Sequence, residues 1–443
     1  MVIRVTKRVL AHRWLWITAV LVLAIWPAWC AYQRRAALSH YQQGVAALDR
    51  KDYDGAIRWL DRAISCNPQY AAAYSSRANA FQNKGMYGCA IADATQAISL
   101  NAQDADAYSD RAAAWLGNGN ADQALADADE ATRLNPAHAR AFRVRGTIRL
   151  LQQNWDQALV DLNESLRLNP NDAVTHNNRA TVYTQKGAWD TAIAEYSEAI
   201  RLSPKDGIAF YGRGHSHIQR GNYEQAIADL TEAIRLNPQD PEAYFQRGWA
   251  YQHEGDYGRA IADYSEVIHL KPEDAVAYYQ RAYACAKRKD YDLAIADYAK
   301  AIDLDPTDAK SFNNRGSIYN DQGEYEMALR DYERAVQLGP PDATHCYNLA
   351  LLLAACPKDS VRHGQKAIQH AQTACALTAW KDPVMLEVLA AGYAETGQFQ
   401  QAVQWQKRAL ACPGLSNENR ERAQHRLQLY LQSKACRVTK PAG

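Results

Sequence analysis

No residue pattern in this chain offers a catalytic starting point. It has no Gly-rich phosphate loop, no His-Glu-x-x-His and no Gly-x-Ser-x-Gly. Its nine cysteines, at 30, 66, 89, 285, 346, 356, 375, 412 and 436, lack the paired spacing of a zinc site, so most read as small buried residues. His215 and His217 stand two apart on a helix, point to different faces and do not share a metal. These absences exclude an enzyme and leave no cofactor or metal to assign. Glycine and proline are scarce, 23 and 15 in 443 residues, which excludes long disordered stretches. A large charge of either sign is also missing. Of the net +1, six bases (Arg4, Lys7, Arg8, Arg13, Arg34 and Arg35) precede any acid, which leaves −5 for the rest of the chain. A mildly acidic body excludes the basic stripe of a nucleic-acid surface.

What is present begins with "WLWITAVLVLAIWPAWCAY", residues 14–32, an uncharged run close to the ~20 residues that a helix needs to cross a bilayer. Trp14 and Trp16 at one end, and Trp26, Trp29 and Tyr32 at the other, match interfacial aromatic belts. A cleaved signal peptide shares the basic leader and apolar segment. The length of the run and bulky Trp29 beside Cys30 favour an uncleaved anchor and argue against lipidation of Cys30. Four bases before the span against two just after it predict a cytoplasmic amino terminus, residues 1–13, with the body on the other side.

Beyond the run the chain is periodic. Prolines fall at 68, 136, 170, 204, 238, 272, 306 and 340, all spaced by 34 or a multiple of it. Within each period an aromatic stands at position 4, Arg at 7, Gly or Ala at 8, Ala at 20, often Tyr at 24, and Pro at 32. Positions 4, 8 and 11 share one helical face, and so do 20, 24 and 27. Gly85, Gly119, Gly187, Gly221, Gly255 and Gly323 all fall at position 15, where a first helix is expected to end in a left-handed turn. Two helices per period that bury one another's apolar faces make a solenoid, not a set of separate globular domains.

The pattern resembles the tetratricopeptide repeat over nearly everything from Ala37 to about Gly414. The resemblance implies an all-α, right-handed superhelical solenoid of about eleven helix-turn-helix units, here preceded by one transmembrane helix. Nine regular repeats are expected over 37–342, two variant ones over 343–416, a capping helix over 417–434 and a tail over 435–443. One departure stands out. Position 7, usually Leu in that family, is Arg in repeats two to nine, from Arg77 through Arg315, and position 23 of the same repeats is acidic, from Asp93 through Asp331. These pairs are expected to bridge the two helices of a repeat and fix their register.

Residues 352–383 break the period. They look like a carboxyl-terminal module of some bacterial repeat proteins, planctomycete ones among them, with a Cys-Pro turn and a Trp-Lys-Asp-Pro turn. In an exported body, Cys356 and Cys375 are the first candidates for a disulfide.

By resemblance, positions 2, 5, 9, 12 and 13 of the first helices look into a concave groove. Tyr211, His215, Phe245, Trp249, Tyr279 and Tyr283 would then form an aromatic patch for a peptide or a partner helix, unless the rings close the wall against each other. Arg140, Arg143, Asn177 and Asn178 are expected to engage backbone or a carboxylate. Thr147, Ile208 and Gly212 leave the family's carboxylate clamp incomplete, so a chaperone-tail receptor is not expected. The expected function is a non-catalytic scaffold for protein or peptide partners, tethered to a bacterial inner membrane through residues 14–32, with the repeats outside the cytoplasm. Homo-oligomerisation through the same patch is the alternative.

Overall fold

The computed structural model describes residues 27, 29–413 and 415–437, and among them every regular element is a helix. The chain divides into two units, Met1–Arg220 and Gly221–Gly443. In the first, residues 29–49 form α1. After it come α2 (Tyr53–Cys66), α3 (Ala71–Asn83), α4 (Tyr87–Leu100), α5 (Ala105–Gly117), α6 (Ala121–Leu134), α7 (Ala139–Leu151), α8 (Trp155–Leu168), α9 (Ala173–Gln185), α10 (Trp189–Leu202) and α11 (Gly207–Gln219). The second begins with α12 (Tyr223–Leu236), α13 (Pro241–His253), α14 (Tyr257–Leu270), α15 (Ala275–Lys287), α16 (Tyr291–Leu304), α17 (Ala309–Gln322) and α18 (Tyr325–Gln337). It ends with α19 (Ala343–Ala355), a 3-10 turn (Asp359–Val361), α20 (Gly364–Leu377), α21 (Pro383–Glu395), α22 (Phe399–Ala411) and α23 (Asn417–Leu431).

Local chemistry sets these boundaries. First helices start on an aspartate at position 34 of the preceding repeat: the carboxylates of Asp104, Asp172, Asp206, Asp240, Asp274 and Asp308 each accept from a backbone N–H of the first turn. They end at position 15 in the left-handed region, where Gly85, Gly119, Gly187, Gly255 and Gly323 have φ of 71 to 85°. Three repeats reach the same turn without glycine, through Lys51, Gln153 and Lys289 at φ 59, 61 and 65°. A Cβ is strained there. Lys289→Gly is therefore expected to raise stability by about 0.5–1 kcal/mol, because relief of that strain exceeds the added freedom of the unfolded chain. Urea unfolding of the full chain measures it, and an unchanged or lower midpoint would contradict it.

The core is a string of small clusters. Alanines at position 20 (Ala56, Ala90, Ala124, Ala158, Ala192, Ala226, Ala260, Ala294 and Ala328) are fully buried, and position 24 fills the remaining space with Leu60, Leu162, Tyr196, Leu230, Tyr264, Tyr298 or Tyr332. The methyl group is small enough to let paired helices approach, and the larger side chain one helical turn further on closes the gap. In each unit the first helices of neighbouring repeats touch, as in α3 with α5, α5 with α7 and α9 with α11, then α15 with α17 and α19 with α21. The first helices that touch in this way form a layer in each unit, and that layer carries positions 2, 5 and 9.

The expected membrane span lies almost wholly outside the described residues. Among those residues no helix is long and apolar enough to cross a membrane. The disulfide expected between Cys356 and Cys375 is absent. Both are free, buried thiols in different clusters, Cys356 with Leu349, Leu353 and Val361, and Cys375 with Ile368, Leu386 and Leu389. Burial pushes the Cys375 thiol up to about 12.

Candidate functional site

The first helices of repeats two to nine each carry an arginine at position 7 that reaches sixteen residues forward, backward or both. Forward, Arg77, Arg111, Arg145, Arg247, Arg281 and Arg315 donate from Nε and Nη2 to both oxygens of the position-23 aspartate, at 2.6–3.0 Å. Arg179 donates to one oxygen of Glu195 at 2.6 Å, and His176 occupies the other at 2.8 Å. Backward, Nη1 meets position 25 of the preceding repeat: Asp61, Thr95, Asp129, Asn163, Ser197, Thr231 and Ser265 receive it at 2.5–3.3 Å. Ala299 offers no such oxygen to Arg315. The guanidinium also lies 5.3–5.7 Å from the ring at position 4, from Tyr74 through Phe312. One side chain thus ties three helices, within and between repeats, through bidentate and cation–π contacts. The intra-repeat pairs were expected from sequence. The backward arm was not, although the polar run at position 25 signalled it.

On the inner layer of the first unit, the four polar candidates are engaged with the protein itself. Arg140 binds the buried Asp110 carboxylate at 2.5 Å, and Asp110 also accepts from Ser75 at 3.0 Å. Arg143 reaches Asp172 at 3.2 Å, and desolvation pulls its guanidinium below the usual arginine range. Asn178 donates to Thr147 at 2.8 Å. Asn177 donates to Asp206 at 3.4 Å, while its carbonyl oxygen is buried without a hydrogen-bond partner. Sequence reasoning missed two residues as contacts, Val174 and Ile208, both at position 2 of adjacent first helices and 49% and 72% exposed. Their place on the groove stripe was the available signal. Tyr211 and His215 are half-buried, with His215 edge-on to Trp189 at 6.2 Å and its imidazole pKa lowered by burial.

In the second unit the aromatic candidates are half-buried, and none is among the large exposed apolar residues. Phe245 lies against Tyr264 at 5.7 Å, and Tyr279 lies edge-on to Tyr298 at 5.8 Å while its hydroxyl accepts from Asn314. Trp249 stacks on His253 at 3.5 Å and meets Tyr223 edge-on. The Tyr283 face carries the Lys287 ammonium at 5.1 Å. These rings therefore contribute substantially to the wall.

Two models described as tetratricopeptide repeat match the chain, one at residues 116–173 and 211–275, the other at 275–308 and 309–342. A third, described as TPR repeat, matches 44–85 and 180–219. The matches at 275–308 and 309–342 coincide with whole 34-residue periods, and together the three cover more than half the chain. The chain belongs to the tetratricopeptide repeat family. No curated protein matches it. Among solved structures, yeast Tom70 is 16% identical, with 90% of this chain and 96% of that one covered and a TM-score of 0.39. The C-terminal part of a TPR repeat-containing protein from Cytophaga hutchinsonii is 21% identical, with 54% and 98% covered and a TM-score of 0.46. YrrB, described as a TPR protein with an unusual peptide-binding site, is 23% identical, with 42% and 97% covered and a TM-score of 0.40.

The last tetratricopeptide repeats close on themselves. Glu387, at position 5 of α21, is buried and pairs with Arg426 of α23, and burial raises its carboxyl pKa. Nearby, Tyr347, Leu351, Ala391 and Tyr430 line a cavity of about 30 Å³. The buried Tyr430 hydroxyl has no protein partner, and a cavity of this size has room for about one water.

Proposed function

We propose that this tetratricopeptide repeat protein is a non-catalytic scaffold that binds an extended protein segment across first helices α9 and α11. One observation carries the reading. Val174 and Ile208 are exposed at position 2 of two first helices, α9 and α11, that touch one another. A peptide lying across these helices would bury the two aliphatic side chains. The half-buried rings of the second unit make a less open surface and rank below this strip. The scaffold is held at a bacterial inner membrane by residues 14–32, with the repeats outside the cytoplasm. The uncharged run and the excess of bases before it support this placement.

The test uses the full chain in mild detergent and a fluorescent peptide selected from a random displayed library. Ile208→Asp with Val174→Asp is expected to weaken binding at least ~10-fold at unchanged helicity, whereas Phe245→Ala with Trp249→Ala should change it less. Undiminished binding by the first variant would remove the site from α9 and α11.

A further inference from the structure

The helix that carries the first half of repeat one starts well before the repeat does. Residues 29–49 are helical without a break, yet the first buried residue is Ala37. From there on the helix packs: Tyr41 lies 5.0 Å from Tyr70, and Gly44 sits against Leu60. Upstream, Trp29 and Tyr32 are 53% and 66% exposed, with ring centroids 6.5 Å apart. Arg34 and Arg35 are also exposed, and neither pairs with an acid among the described residues. The first acid of the chain is Asp49.

Soluble surface does not account for two large exposed rings followed by two unpaired arginines, and their order along the axis is informative. Trp and Tyr favour the boundary between hydrocarbon and headgroups, and arginine favours the phosphates beyond it. From Trp29 to Arg35 the helix rises about 9 Å at ~1.5 Å per residue. The headgroup layer of one leaflet is about 5–7 Å thick, taken from total and hydrocarbon thickness. Residues 29–35 are therefore long enough to span that layer, with Trp29 at its inner edge and Arg34 and Arg35 at its outer one.

We propose that residues 29–35 span the headgroup layer of a lipid bilayer, with Trp29 and Tyr32 towards its hydrocarbon boundary and Arg34 and Arg35 among lipid phosphates, so that the first repeat helix starts within the membrane interface. The proposal rests on the membrane reading above. It commits α1 to a bilayer as its partner and leaves no flexible tether between membrane and repeat one.

The experiment reconstitutes the full chain and its Trp29→Phe variant in vesicles of phosphatidylcholine and phosphatidylglycerol. Their difference spectrum isolates Trp29 emission, and bromines placed high or low on the acyl chains report its depth. The expected result is emission shifted to shorter wavelength and quenched more by the shallow bromines than by the deep ones. Emission at the wavelength of a water-exposed indole, or stronger quenching by the deep bromines, overturns the proposal. An alkaline carbonate wash separates the two failures. Protein that stays with the vesicles leaves the anchor reading standing, and protein washed off removes both.

Discussion

Asp161→Ala destabilises the first unit by about 3–5 kcal/mol, the cost of breaking a buried ion pair from one side. The Asp161 carboxylate is fully buried and holds two arginines, Arg145 through bonds of 3.0 and 2.7 Å and Arg149 through one of 2.8 Å. Its removal leaves two guanidinium groups facing each other with one acid fewer between them. Asp331→Ala should cost less, because Asp331 serves Arg315 alone and that arginine lacks the backward arm. A combined Arg145→Met, Arg149→Leu and Asp161→Leu variant should recover most of the loss, since packed apolar side chains of similar volume replace the whole buried triad at little net cost. Urea unfolding gives the magnitudes. Hydrogen exchange should confine the opening to repeats around the fourth, as expected where each repeat is stabilised by its neighbours. A loss under about 1 kcal/mol for Asp161→Ala would mean that the ladder sets register without stabilising the fold.

Above pH 10 the second unit should unfold before the first. Burial raises the phenol pKa values of Tyr264, Tyr298, Tyr332 and Tyr430, with Tyr332 pushed up to about 12. An unfolded tyrosine ionises near 10, so between about 10 and the folded value the unfolded state binds fewer protons. The stability held below pH 10 is then lost as pH rises. Each phenol contributes a slope of about 1.4 kcal/mol per pH unit, and four together approach about 5 kcal/mol per unit, comparable with the whole stability of a domain. The buried thiols Cys285 and Cys375, raised to about 11 and about 12, act in the same direction from lower pH. Among the described residues the first unit buries one tyrosine, Tyr196, where the second buries five. Phenolate absorbance should therefore rise together with loss of helicity. Tyr264→Phe should shallow the slope by about 1.4 kcal/mol per unit. Phenolate appearing well before helix loss would count against this account.

Both outcomes depend on features read with different ease from the sequence. The arginine and acid at positions 7 and 23 recur in eight repeats, and a sixteen-residue separation across one helical turnaround left little choice of partner. Repeat one, with Gln43 and Trp59 at those places, stacks His40 on Trp59 at 5.6 Å instead. The candidate site was harder to read. Phe245 and Tyr279 were assigned to the groove stripe by helical geometry, but position 24 is occupied by Tyr264 and Tyr298, whose rings extend far enough to meet them from behind. Arg140 was expected to engage a partner's backbone or carboxylate, yet the carboxylate it meets is the protein's own Asp110, one repeat earlier at position 6.

By itself the sequence determined the period, the helix pair within it, the Asp caps, the left-handed ends and the forward arm of each arginine, because all of these are set by residues close along the chain or repeated at a fixed interval. Only the tertiary structure decided the backward arm to position 25, the exposure of Val174 and Ile208, the separation of Cys356 from Cys375 and the half-burial of the aromatic stripe. Those depend on how far side chains of one repeat reach over the next. Helical periodicity fixes the direction of a side chain but not what lies across from it.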